Sequence, residues 1–135
     1  MSENPDSLAD IEHLKLIQTV ITRMAGNSFL IKGWTVTLVA GLSAIAKAQT
    51  EAGIAWIAAV VVVVFALLDA FYLALERAYR RLYEQVAADS PGIQKWTLDA
   101  GHVGPKEVAK GLTGFAVWPL HGIAFAGAIT VALST

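Results

Sequence analysis

The sequence predicts an all-α fold built into a membrane, on three observations. Hydrophobic residues make up 56% of the 135-residue chain and charged residues only 16%, with a mean hydropathy of +0.56, whereas a soluble domain averages about 45–50% apolar and about 25% charged. The excess is concentrated in three runs, 28–47, 52–76 and 112–133, each long enough to cross a hydrocarbon core of about 30 Å, for which a helix needs about 20 residues. Away from their ends, these runs carry only two formal charges, Lys32 and Asp69. A chain of this length holds one domain at most, taken here as 1–135.

The elements follow in order. Over 7–25, Leu8, Ile11, Leu14, Ile17, Ile21 and Met24 recur at spacings of three and four, while Asp10, His13, Gln18 and Thr22 fall on the other face. This is an amphipathic helix, with Ser7 and Asp10 placed to cap it. Its apolar stripe needs a covering surface, and the acidic first turns favour protein over anionic lipid. Gly26-Asn27 predicts a break before the first span at 28–47.

The second span, 52–76, contains the β-branched run Val60 to Val64, but it is too long for a strand and lacks the alternation of a barrel strand. A soluble bundle helix would carry a polar stripe, which neither the second nor the third run offers. Helical spacing continues to 88 as a cytosolic extension, with Glu76 and Arg80 an i, i+4 pair, until Ser90-Pro91-Gly92 ends it. Residues 89–111 read as a cytosolic loop with a short amphipathic turn. The third span, 112–133, includes Pro119, expected to kink it, and His121, expected near mid-depth.

Lys15 and Arg23 precede the first run, and Arg77, Arg80, Arg81, Lys95, Lys106 and Lys110 lie between the second and third. Positive-inside bias predicts a cytoplasmic N-terminus and 76–111 segment, with the C-terminus outside. Trp34 and Trp56 then fall near the inner and outer interfaces. The acidic opening (Glu3, Asp6, Asp10, Glu12) does not resemble a secretory signal peptide.

Several classes are excluded as expectations. A net charge of −1 provides no polybasic coat for nucleic acid. The absence of cysteine removes disulfides, thiolate metal sites and Cys nucleophiles. No phosphate loop, Gly-x-Ser-x-Gly or His-Glu-x-x-His motif is present, so no catalytic residue, metal ligand or cofactor is expected and the chain reads as a non-enzyme.

The polar residues in the runs carry the most information. Lys32 is 15 residues before Lys47, and Asp69 is 16 residues after Gly53; at about 1.5 Å per residue both lie roughly 22–24 Å from the outer ends of antiparallel helices. Matching depth predicts a Lys32–Asp69 ion pair, because an ionised group in hydrocarbon is costly unless paired. The pair either fixes the register of the hairpin or lines a cation path. His121 is a candidate mid-membrane polar site, as a titrating group or an interhelical hydrogen-bonding one. Arg77, Arg80, Arg81, Lys106 and Lys110, with Lys95 and His102 nearby, form a candidate cytosolic site for an anion or partner, or act as ordinary positive-inside anchors. Gly33, Thr37 and Gly41, and Gly122 with Ala126, make small-residue stripes that permit close packing, within the chain or between copies.

The run NSFLIKGW (Asn27, Ser28, Phe29, Lys32, Gly33, Trp34), followed by LLDAFYLALERAYRRLY (Leu68, Asp69, Tyr72, Leu73, Glu76, Arg77, Arg80, Leu82, Tyr83), resembles an uncharacterised family of small bacterial multi-span membrane proteins. The likeness covers about half of the chain and thins out over 87–111. In layout the chain is also similar, more loosely, to the two- and three-span SLATT-type effectors of anti-phage systems. That resemblance implies a bacterial inner-membrane homo-oligomer, pore-forming or membrane-perturbing, that contacts lipid and stays closed until a cytosolic protein or nucleotide signal arrives. The alternative is a non-conducting membrane anchor or scaffold for a cytosolic partner. A proton-coupled transporter using Asp69 or His121 ranks last, because the chain lacks the repeats of such proteins.

Overall fold

A computed structural model describes the backbone of residues 5–135 and the side chains of residues 8–135. Among the described residues four helices follow in order: α1 (Pro5–Gln49), α2 (Ala52–Ala87), α3 (Pro105–Leu112) and α4 (Trp118–Ser134). The described residues form no strand. Helices α1 and α2 make a long antiparallel hairpin, α4 lies against both, and α3 packs on α2. Two helices are long and apolar enough to cross a membrane; α4, at 17 residues, is a shorter apolar helix.

The α1–α2 turn is short. Thr50 adopts a positive φ of 57°, and the Glu51 N–H donates to Ala46 O at 3.0 Å, which closes the exposed carbonyl end of α1. Tight packing below it comes from alanine. Ala55, Ala58, Ala59, Ala70, Ala74 and Ala78 of α2 are all buried, so the neighbouring backbones approach closely. Val39, Ala58, Ala59, Val62 and Ala128 make the three-helix core, and Ala46, Ala55 and Ala132 extend it to the hairpin end. There Lys47 Nζ donates to Ser134 Oγ at 2.8 Å and to Ser134 O at 3.3 Å, placing a cation on the C-terminal carbonyls of α4.

At the opposite end, Ile17 and Ile21 pack on Leu82. The stripe of the N-terminal helix is thus covered largely by its own chain, although Leu8 and Ile11 stay exposed. His13, assigned to the polar face, is instead buried: Nε2 lies 2.7 Å from Thr97 O and the ring leans on Trp96. The spacing 13–17–21 puts it on the line of Ile17 and Ile21, and that line wins over its polarity.

Four expectations are corrected. The break at Gly26-Asn27 is absent, and the amphipathic segment and first run form one unbroken α1. One interior glycine costs a helix about 1 kcal/mol, which the helical turns packed on either side of it outweigh. Ser7 lies within α1, which is helical from Pro5 onward among the described residues, and so does not stand at a cap position before it. Within 89–111, the short turn is an eight-residue helix, α3. The third run does not form a helix from 112 onward. Turns occupy the segment between α3 and α4, and Pro119 sits in the first turn of α4, where its missing N–H has no partner to lose, so it starts the helix rather than kinking it.

Candidate functional site

Asp69 is fully buried where α1, α2 and α4 meet. Helical spacing places Ser28, Lys32 and Thr35 on the face of α1 that looks at it, at i, i+4 and i+7. Lys32 Nζ lies 2.8 Å from Asp69 Oδ1 and 2.6 Å from Oδ2. The Ser28 hydroxyl donates to Oδ1 at 2.5 Å and accepts from Lys32 Nζ at 2.8 Å. One carboxylate oxygen therefore takes two donors. The other, Oδ2, makes no well-directed hydrogen bond among the described residues; it has the Lys32 ammonium and, 3.7 Å away, His121 Nδ1.

His121 is in the first turns of α4 rather than midway along a span, because α4 starts at Trp118. It is 3% exposed. Nδ1 faces Val117 O at 3.0 Å and Nε2 faces Thr35 Oγ1 at 3.3 Å. Thr35 directs its own hydroxyl hydrogen to Ile31 O at 2.8 Å. With that hydrogen so placed, both ring nitrogens face acceptors; turning the Thr35 hydroxyl toward Nε2 would supply a donor there instead.

Of the sequence-derived candidates, the structure brings Lys32, Asp69 and His121 together. Ser28 and Thr35 join them, and the sequence carries the signal for both, since each sits one helical turn from Lys32. No group of three or more His, Cys, Asp or Glu that could hold a metal exists among the described residues.

The basic set divides. Arg80 turns onto Glu76, with contacts of 2.7–2.8 Å, and is neutralised there. Arg77 and Arg81, one turn apart on α2, share a cleft of about 200 Å³ with Ala74 and with Glu107 and Lys110 of α3. Arg77 Nη1 also reaches Lys110 O at 3.5 Å. Lys106 does not line the cleft. Glu107 accepts the Gly104 N–H at 3.0 Å. Its carboxyl is held below its ordinary range, chiefly by its own backbone N–H and then by Gly104, Lys110 and Arg81, against some desolvation. Lys95 lies apart, in a polar cleft of about 370 Å³ shared with Asp10, His13, Asp89 and Gln94.

Compared with family models, curated proteins and solved structures, the chain matches none.

Proposed function

We propose that this chain is a non-enzymatic bacterial inner-membrane protein of three spans. In this reading it works as a homo-oligomeric channel or membrane-perturbing effector, controlled from the cytosolic side. The observation that carries it is the Lys32–Asp69–His121 cluster, with Asp69 and His121 buried and Lys32 partly buried where the apolar stretches of three helices meet. Ionisable groups at such depth are expensive, and a chain that retains them, paired and facing the bundle interior, uses them for ion or proton passage or for gating.

Residence in lipid is supported by how little of the apolar surface the chain covers itself. Only 22% of the most apolar window of α1 and 33% of that of α2 are buried. A soluble core helix is mostly covered. Phe29, Phe115, Ile123 and Leu133 are each at least 75% exposed. Helix α4 is about 25 Å long at 1.5 Å per residue, the short end of the spanning range. The cluster of Arg and Lys residues after α2 supports a cytoplasmic placement for that end and for the N-terminus.

Assembly is supported by the outer face of α1. At about 100° per residue, Gly26, Gly33, Thr37 and Ala44 lie opposite the buried Thr35 and Val39, and all four are exposed. A Cβ at Gly26, Gly33 or Gly41 would meet nothing within 4 Å. The alanines of α2 are occupied inside the chain, whereas these small positions are open to a second copy. Three helices enclose no aqueous path, so conduction requires such assembly.

The test is ion flux from liposomes with subunit counting in detergent. The reading expects an oligomer with conductance that Asp69→Asn alters, and Gly33→Leu with Gly41→Leu lowering the subunit count. A detergent-solubilised monomer without flux would overturn it. The second reading, a non-conducting anchor, is favoured by Leu8, Ile11 and Leu16, which remain 42–48% exposed on the N-terminal half of α1 and offer an apolar edge to a cytosolic protein. An oligomer that is silent in every lipid would support that reading instead.

A further inference from the structure

We propose that Arg77, Arg81 and Lys110 form a binding site for a phosphate-bearing anion, at the junction of α2 and α3. Three cations and a single carboxylate line this cleft, an excess of two positive charges in about 200 Å³. Glu107, held in place by the Gly104 N–H, offsets one of these charges and leaves the other two uncompensated within the cleft. Arg81 and the Lys110 ammonium make no ion pair within 4 Å among the described residues, in contrast to Arg80, which pairs with Glu76.

The local backbone forces this crowding of like charge. A Cβ on Gly111 would stand 2.7 Å from Ala70 O and 3.2 Å from Ala70 Cα, so only glycine lets α3 sit this close to α2. That approach sets Lys110 and Glu107 against Arg77 and Arg81. Gly114 keeps the edge clear: a side chain there would come within 3.3 Å of Arg77 Nη2. Holding like charges together is unfavourable, and an anionic phosphate group relieves the conflict. Guanidinium groups one helical turn apart can each offer paired N–H donors to phosphate oxygens, with Lys110 as a point charge from the facing helix.

The site rests on the reading above in one respect: as a cytosolic feature at the boundary of the second span, it faces both headgroups and the cytosol. A phospholipid headgroup and a soluble phosphate compound share the required chemistry, and the experiment separates them.

Full-length protein in a neutral detergent is titrated with phosphatidylglycerol, with phosphatidylcholine, and with inorganic pyrophosphate, reading the thermal midpoint and bound adducts by native mass spectrometry. The expected result is a saturable rise in midpoint with phosphatidylglycerol or pyrophosphate, and none with phosphatidylcholine. Whichever probe binds names the source. Arg81→Gln and Lys110→Gln each weaken it about tenfold or more, the loss of one charge-assisted contact, whereas Arg80→Gln leaves it unchanged and Lys110→Arg retains it. Added salt lowers the affinity. Binding by neither probe, or equal weakening by Arg80→Gln, overturns the site. The result is independent of conduction and subunit count. A protein that fails to bind yet conducts overturns the site alone, and one that binds yet stays monodisperse without detergent overturns the membrane reading alone.

Discussion

His121 Nδ1 stands 3.7 Å from Asp69 Oδ2, an oxygen whose nearest charge is the Lys32 ammonium at 2.6 Å. A buried carboxylate thus faces two cationic or potentially cationic groups from two different helices. Lys32 ties α1 to α2, and His121 ties α4 to both.

The Lys32–Asp69 pair should behave as a coupled unit. Breaking a buried pair from one side costs about 3–5 kcal/mol because it strands the remaining charge. Lys32→Ala should fall near the lower figure, since its side chain keeps 21% exposure. Lys32→Ala with Asp69→Ala should cost less than Lys32→Ala alone. Unfolding in mixed micelles with increasing SDS measures the cycle, and equal costs for the single and double variants would show that the two do not interact.

Gly26 offers a separate check on the continuity of α1. Its Cβ position is open and its backbone is helical. Gly26→Ala should therefore stabilise by about 0.4–1 kcal/mol through the unfolded chain and helix propensity. A loss of stability in the same micelle assay would indicate a hinge at this position rather than an unbroken helix.

The opposite sign is expected at Gly111. Gly111→Ala drives a methyl into the Ala70 backbone, and overpacking of this kind costs about 1–3 kcal/mol. A cysteine pair introduced on α2 and α3 flanking the contact should cross-link more slowly in the variant. Unchanged cross-linking and an unchanged melt would contradict the close approach.

Glu107 sets an acid limit for α3. Its folded carboxyl titrates below the ordinary value of 4.5, chiefly because its own N–H, then Gly104, Lys110 and Arg81, favour the charged form. The sign follows from linkage: the contribution is complete above the unfolded value and disappears as pH falls through the lower folded one. Thermal midpoints of the native protein and Glu107→Gln should differ at neutral pH and converge in acid. A gap that persists below the folded value would place the effect elsewhere.

Much of the architecture was legible along the chain. Long apolar runs and the charges between them dictate helices, because backbone groups wrapped in apolar side chains find partners only within the helix. Counting residues from the hairpin turn already puts Lys32 opposite Asp69, since helical rise is nearly constant. What periodicity could not assign was any feature set by a neighbour. Gly26 reads as a breaker by local propensity, yet packing on α2 keeps the helix whole. Pro119 reads as a kink until the turn before Trp118 makes it a helix start. His13 reads as polar surface until residues 96 and 97 fold over it.

The sequence by itself determined that this chain is helical, that it carries long apolar runs, and which two charges share a level along the hairpin. These are properties of composition and rise per residue, which need no knowledge of what lies alongside. Tertiary structure alone decided that His121 completes the Asp69 cluster, that Arg81 and Lys110 converge, and that the glycines of α1 face outward. Each of these depends on where a distant segment docks, through the close contacts of Gly111 with Ala70 and of the α2 alanines with α1 and α4, and nothing within one helical turn of those residues encodes it.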